Sequence, residues 1–332
     1  MRSPRPLLAL ASLAALNLSP GPDRATSPSS IAFASRRDGS WEIYRMDADG
    51  RAQTRLTSRS GENRFPVWSP DGRRIAFGSS NGTRWELWVM DAGGGHPIRL
   101  VTGIVAKSPR SWSPDGTRII CVMIREGNRD IYSVRADGTG STRLTATAGE
   151  DDVPQWSPDG GRIAFTSERD GNKEIYVMQA DGSRPVRLTT QPEADGDPFW
   201  SPDGRRIAFN SERDGRRQLY VMDAGGSHVT RVTTDSSADA IPEWSPDGAR
   251  IAFQAVRGRN YDIEVVDSDG RHRIRLTSDT TYDGSLVWSP DGRRIAFISD
   301  RAGYSAVYLI APDGSGLVRL TDGPSLTPSW SR

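Results

Sequence analysis

The chain has 332 residues, with 43 basic against 42 acidic side chains. That balance leaves no electrostatic footprint for nucleic acid or for an anionic membrane surface. The single cysteine, Cys121, excludes an internal disulfide framework, and the length suits one large all-β domain or two ordinary ones.

Arg2 and Arg5 precede an apolar run from Leu7 to Leu16, the layout of a secretory signal. Residues 1–19 therefore read as a signal peptide, too short in its apolar part to span a bilayer. Residues 20–30, rich in Pro and Ser, read as a disordered connector, and residues 31–332 as the folded domain. No other segment is apolar enough to cross a membrane.

The domain is organised by Trp-Ser-Pro-Asp-Gly, which starts at Trp68, Trp112, Trp156, Trp200, Trp244 and Trp288 with a constant period of 44; Trp330 closes the series. A fixed period of this size signals a repeat architecture. Ser-Pro-Asp-Gly is turn chemistry: Pro presets φ and Gly accepts a positive φ. The Trp before it ends one strand, and its ring is expected to pack between neighbouring repeats.

One repeat gives four short strands joined by hairpins. The first ends at Trp156, the second runs from Arg162 to Ser167, the third from Glu174 to Met178, and the fourth from Val186 to Thr189. Helical periodicity is absent, so the unit reads as a propeller blade. The second-strand signature starts at Ile31, Ile75, Ile119, Ile163, Ile207, Ile251 and Ile295, which counts seven. No Trp precedes Ile31, so the strand ending at Trp330 is expected to complete the first blade. The expectation is a seven-bladed β-propeller of four-stranded antiparallel blades, closed by its C-terminal strand.

Proline turns and Asp-Gly turns share one monotonous face, and the variable loops share the other. Binding residues favour variable loops on a rigid scaffold. Five residues before each Trp stand Asn63, Lys107, Asp151, Asp195, Asp239, Asp283 and Ser325. The four aspartates are candidates for a binding ring at a channel mouth, with Glu150, Asp152, Glu193, Asp197 and Glu243 adding negative charge. Such a ring can hold a calcium ion or the basic end of a peptide. The alternative is that each Asp ties its own loop. Arg37, Arg125, Arg169, Arg213, Arg257 and Arg301 recur at the end of the second strand, where pairing with loop carboxylates is expected.

His96, His228 and His272 are spread over three repeats on the monotonous face, which argues against a shared metal. No Gly-x-Ser-x-Gly elbow or phosphate-cradling loop occurs, so no catalytic residue and no other cofactor is assigned. Cys121 occupies a Phe slot and is expected to be buried.

The unit Trp-Ser-Pro-Asp-Gly-x-x-Ile-Ala-Phe, with Ile-Tyr-Val-Met and Arg-Leu-Thr after it, resembles the TolB-like propeller repeat over residues 25–332. The resemblance implies a periplasmic or secreted, non-catalytic monomer that binds a protein or peptide of the cell envelope. Similar blades occur in oligogalacturonate lyases and prolyl oligopeptidase-type enzymes. A carbohydrate-active enzyme using the four aspartates, or a regulatory propeller for a separate hydrolase, is therefore the alternative. TolB carries an N-terminal α/β domain before a six-bladed propeller, whereas here the repeat is expected to begin just after the leader and counts seven.

Overall fold

The computed structural model describes residues 29–59, 61–105, 111–234 and 237–331. The signal peptide, most of the connector and Lys107 lie outside the described residues. The connector ends earlier than the sequence suggests, because Ser30 already pairs with Asp47 in the first strand pair.

Every regular element among the described residues is a strand. The first sheet holds β1 (Ser30–Ser35), β2 (Glu42–Asp47) and β3 (Thr54–Arg55). The second repeat gives β4 (Glu62–Trp68), β5 (Arg74–Ser80), β6 (Trp85–Asp91) and β7 (Ile98–Ile104). The third gives β8 (Ser111–Trp112), β9 (Arg118–Arg125), β10 (Asn128–Arg135) and β11 (Ser141–Arg143). The fourth gives β12 (Asp151–Trp156), β13 (Arg162–Ser167), β14 (Glu174–Gln179) and β15 (Val186–Arg187). The fifth gives β16 (Asp195–Trp200), β17 (Arg206–Ser211), β18 (Gln218–Asp223) and β19 (Thr230–Arg231). The sixth gives β20 (Ala238–Trp244), β21 (Arg250–Arg257), β22 (Asn260–Asp267) and β23 (Ile274–Arg275). The last gives β24 (Asp283–Trp288), β25 (Ile295–Ser299), β26 (Ala306–Ile310) and β27 (Val318–Arg319), followed by β28 (Ser325–Trp330).

These strands form antiparallel four-stranded sheets, and β28 pairs with β1 to complete the first. The second and third repeats merge into one eight-stranded sheet through a single bridge from Ile104 to Met123. The merger has a local cause: β8 is only two residues long, so the chain after β7 takes the exposed edge of β9, with Val105 N–H donating to Val122 O at 2.9 Å. The outer strands are shorter than the sequence suggests. In the fourth repeat, Thr189 Oγ accepts the Ile175 N–H at 2.9 Å, so a side chain replaces the ladder there.

The proline turn locks as its sequence predicts. In Ser157-Pro158-Asp159-Gly160, the Ser157 hydroxyl donates to Asp159 at 2.5 Å and accepts the Arg162 N–H at 2.9 Å. Gly160 takes φ 71°, the left-handed region that glycine reaches without a Cβ penalty.

The core lies between sheets. Ala164, Ile175 and Val177 of one sheet pack against Trp200, Ile207 and Phe209 of the next. Ala296, Ile298 and Val307 of the last four-stranded repeat pack against Ile31, Phe33 and Trp330 of the first sheet. Trp68, Trp112, Trp156, Trp200, Trp244, Trp288 and Trp330 are 4–8% exposed, each inside such a cluster. Burying one side chain of this size contributes about 1.5–3 kcal/mol. Cys121 is buried in the same layer.

Candidate functional site

The first strand of each sheet positions the candidate residues. β12 contacts β16, β16 contacts β20, β20 contacts β24, β24 contacts β28, and β28 contacts β4, so each of these strands lies beside its equivalent in the adjoining repeat. Each carries proline two residues before its Trp, at Pro66, Pro154, Pro198, Pro242 and Pro328, except β24, which has Leu286. Proline offers no N–H to the ladder. The register slips at that point, for example between Asp152 and Gln155 and between Gly196 and Phe199. The residue before it turns left-handed: Phe65, Val153, Asp197, Ile241, Ser285 and Thr327 have φ between 50° and 59°. These bulges re-aim side chains toward the loop face.

Asp151, Asp195, Asp239 and Asp283 all sit at the start of these strands, but none is presented to solvent: each is 0% exposed. Arg169 holds Asp151 at 3.1 Å, Arg213 holds Asp195 at 2.9 Å and Arg301 holds Asp283 at 3.1 Å. These three arginines pair with the aspartate of their own repeat, and Arg37, whose repeat carries Ser325 instead, donates to Gln53 at 2.6 Å. Burial pushes the Asp195 carboxyl up against the opposing Ser211 hydroxyl and Arg213, and burial likewise raises Asp283. Asn63 and Ser325 occupy the same buried position without charge.

The sixth repeat breaks the pattern. Glu264 stands where the other repeats carry Tyr or Trp, and it draws Arg257 to 2.6 Å. Asp239 then meets Arg273 at 3.8 Å and accepts the Ser237 hydroxyl at 2.8 Å.

Open space occurs at the fourth and fifth repeats. A cavity of about 170 Å³ is lined by Arg129, Glu150, Asp152, Thr166, Glu168, Lys173, Asp195, Asp197, Asn210, Glu212 and Arg217, among others. Asp195 forms part of its wall. Asp152 pairs with Arg129 at 2.9 Å, and Asp197 pairs with Arg217 and accepts from Asn210 at 3.1 Å. Gly196 leaves room here, since a Cβ would meet nothing nearer than Thr166 at 3.7 Å. The equivalent spot at Gly284 is filled by Gln254 and Tyr282, which a Cβ would meet at 2.3 and 2.4 Å. Six carboxylates against three cations give the hollow a net negative charge. The sequence identified Asp152, Glu150 and Asp197 as local charge but not Arg129, Lys173 or Arg217, although these three basic residues recur at one offset in three successive repeats, a signal that could have found them.

The histidines lie apart from this hollow. His96, His228 and His272 are exposed on turns, paired with Asp91, Asp223 and Asp267 at 2.6–2.7 Å. Among the described residues no group of three or more His, Cys, Asp or Glu side chains is placed to hold a metal.

No curated protein matches the chain. Solved structures do. TolB from Acinetobacter baumannii superposes with a TM-score of 0.61 at 21% identity, over 91% of this chain and 66% of that one. A structure assigned to TolB from Agrobacterium tumefaciens gives 0.58 at 26% identity, over 80% and 95%. An oligogalacturonate lyase in complex with manganese gives 0.71 at 20% identity, over 84% and 85%. A puromycin-hydrolyzing peptidase from Mycobacterium tuberculosis gives 0.70 at 18% identity; the chain spans 52% of that peptidase, and somewhat under two thirds of the Acinetobacter protein. Likeness at these identities carries the β-propeller fold rather than a shared chemistry. A family model described as the TolB beta propeller domain matches at residues 9–110, 101–190, 153–255 and 236–332, which together take in nearly the whole sequence. The chain therefore belongs to the TolB beta propeller domain family.

Proposed function

We propose that this protein is an exported, non-catalytic propeller of seven blades, monomeric, that binds a cationic segment of a protein or peptide on its loop face. Seven second-strand signatures, the pairing of β28 with β1 and the packing of the last repeat against the first support the blade count and the closure by the C-terminal strand. The basic, then apolar N-terminus supports export to the periplasm or beyond, in keeping with the TolB-like resemblance.

The observation that carries the binding reading is the charged hollow around Asp152 and Asp197. Its two partly exposed carboxylates are each shared with one arginine at the rim, so an incoming cation can exchange for a solvated partner at little cost. Complementary charge steers association and fixes register. The test is a calorimetric titration of the protein with a lysine-rich hexapeptide and with its glutamate-rich counterpart. Asp152→Asn combined with Asp197→Asn is expected to weaken the cationic peptide about tenfold, roughly the 1.4 kcal/mol of one exchanged charge pair. Equal binding of both peptides would defeat this reading. Turnover of acidic oligosaccharides that the double variant abolishes would replace it with an enzymatic one.

A further inference from the structure

On the opposite face, five junctions between repeats share one plug. The first arginine of the second strand lays its guanidinium over the next repeat's indole: Arg74 on Trp112 at 5.0 Å, Arg162 on Trp200 at 4.6 Å and Arg206 on Trp244 at 4.7 Å. Arg250 on Trp288 at 5.4 Å and Arg294 on Trp330 at 5.7 Å do the same. Arg74 and Arg206 also donate to the next proline turn, at Gly116 O (2.6 Å) and Gly248 O (3.2 Å).

Arg118 holds the same position toward Trp156 and behaves differently. Its guanidinium donates to Ser133 Oγ on its own sheet at 3.2 Å. Ser133 is buried in a slot that holds Val89, Val177, Val221, Val265 and Leu309 in other repeats, none of which offers an acceptor. One hydroxyl thus holds the arginine back. What opens is a cavity of about 520 Å³ whose lining includes Trp156, Leu144, Pro114, Asp115, Asp159 and Asp181.

We propose that this cavity binds a guanidinium group brought by a ligand, which takes on Trp156 the place an internal arginine takes on the other indoles. Stacking supplies attraction to the ring face, strongest for Trp among the aromatics. The three carboxylates are fixed in advance: Ser157 and Gly161 hold Asp159, Thr117 holds both oxygens of Asp115, and Ser183 N–H holds Asp181. They outnumber the one cation in the lining, Arg118. The site lies on the face of the proline turns, away from Asp152 and Asp197, so the two readings stand or fall separately.

The test is titration with N-acetyl-arginine amide, its neutral citrulline analogue and agmatine, followed by calorimetry and by the indole N–H signal of Trp156. Saturable binding of the arginine amide is expected, with citrulline about tenfold weaker or worse, as loss of the cation–π and charge contacts requires. Ser133→Val places in the slot the residue four other repeats use there; it should release Arg118 onto Trp156 and abolish binding. Arg118→Ala keeps the cavity open and should retain binding. Agmatine binding as well as an Ala-Arg-Ala peptide would point to a free small guanidine; a tighter peptide would point to a partner protein. Binding unchanged in Ser133→Val, or citrulline binding like arginine, would overturn the proposal. Aspartate replacements at positions 152 and 197 should leave it untouched.

Discussion

The indole N–H of Trp68 donates to the carbonyl oxygen of Ser329 at 3.1 Å, across 261 residues of chain. The same bond links Trp112 to Val67 and Trp244 to Phe199, at 3.1 Å each, between successive first strands. The C-terminal strand therefore enters the same chain of contacts as strands that are neighbours in sequence. Removing residues 324–332 deletes this bond and the whole β28 edge, and exposes an unpaired strand. The truncated protein is expected to lose several kcal/mol and to aggregate on heating, read by urea denaturation and light scattering. A melt matching the full chain would contradict the closure.

Trp200 is buried among Ala164, Val177 and Phe209. Trp200→Ala should lower stability by about 3–5 kcal/mol, because the sheets on either side are too rigid to close the cavity. The urea midpoint measures it, while peptide binding at the loop face should persist under native conditions.

Thr189 is a small residue with two obligations. It accepts the Ile175 N–H at 2.9 Å and donates to the fully buried Glu174 at 2.5 Å. Thr189→Val keeps the shape and strands the Ile175 N–H and Glu174 Oε2, while Arg187 still holds Glu174 Oε1 at 2.7 Å. A loss of about 1–3 kcal/mol per stranded group is expected. Thr189→Ser should recover most of it in the same denaturation assay.

The proline turns set the acid limb of stability. The Ser113 hydroxyl and Thr117 N–H hold Asp115 below the usual carboxylate range; Ser157 and Gly161 do so for Asp159, and Ser245 and Ala249 for Asp247. A native pKa below the unfolded one means the unfolded chain takes up protons first on acidification. The stability from these groups is complete above about pH 4, the ordinary value, and is lost as the pH falls through the lowered native values. Denaturation midpoints should therefore fall below about pH 4. Asp159→Asn should be less stable at neutral pH and show a shallower fall. Asp195 carries the opposite sign, since burial raises it, so its own contribution improves as the pH drops from the raised value toward the unfolded one.

Gly182 has φ 86°, and a Cβ there would stand 2.8 Å from Leu144 O of the preceding repeat. Gly182→Ala combines left-handed strain with a backbone clash and should cost about 1–3 kcal/mol, checked by thermal unfolding. Gly171, whose Cβ would meet nothing within 4 Å, is the matched control for the strain alone.

The repeat, its hairpin turns, the burial of the seven tryptophans and the strand order within each repeat were all legible from the sequence. They depend on contacts close along the chain and on a period of 44 that repeats the same local rule. The recurring aspartates were legible as positions but not as roles, because spacing gives a residue's register and not its exposure. Pairing of Arg169, Arg213 and Arg301 with loop carboxylates was expected from the sequence, but only the folded blade showed that they seal three of these aspartates away from solvent. The bulges before Trp156 and Trp200, the hollow at Gly196 and the arginine held back by Ser133 were likewise decided in three dimensions. The bulges recur in six first strands yet show only once the strands pair, whereas the hollow and the held-back arginine are exceptions to the repeat, and an exception acquires meaning from the neighbour it fails to touch, which lies on a different strand or sheet.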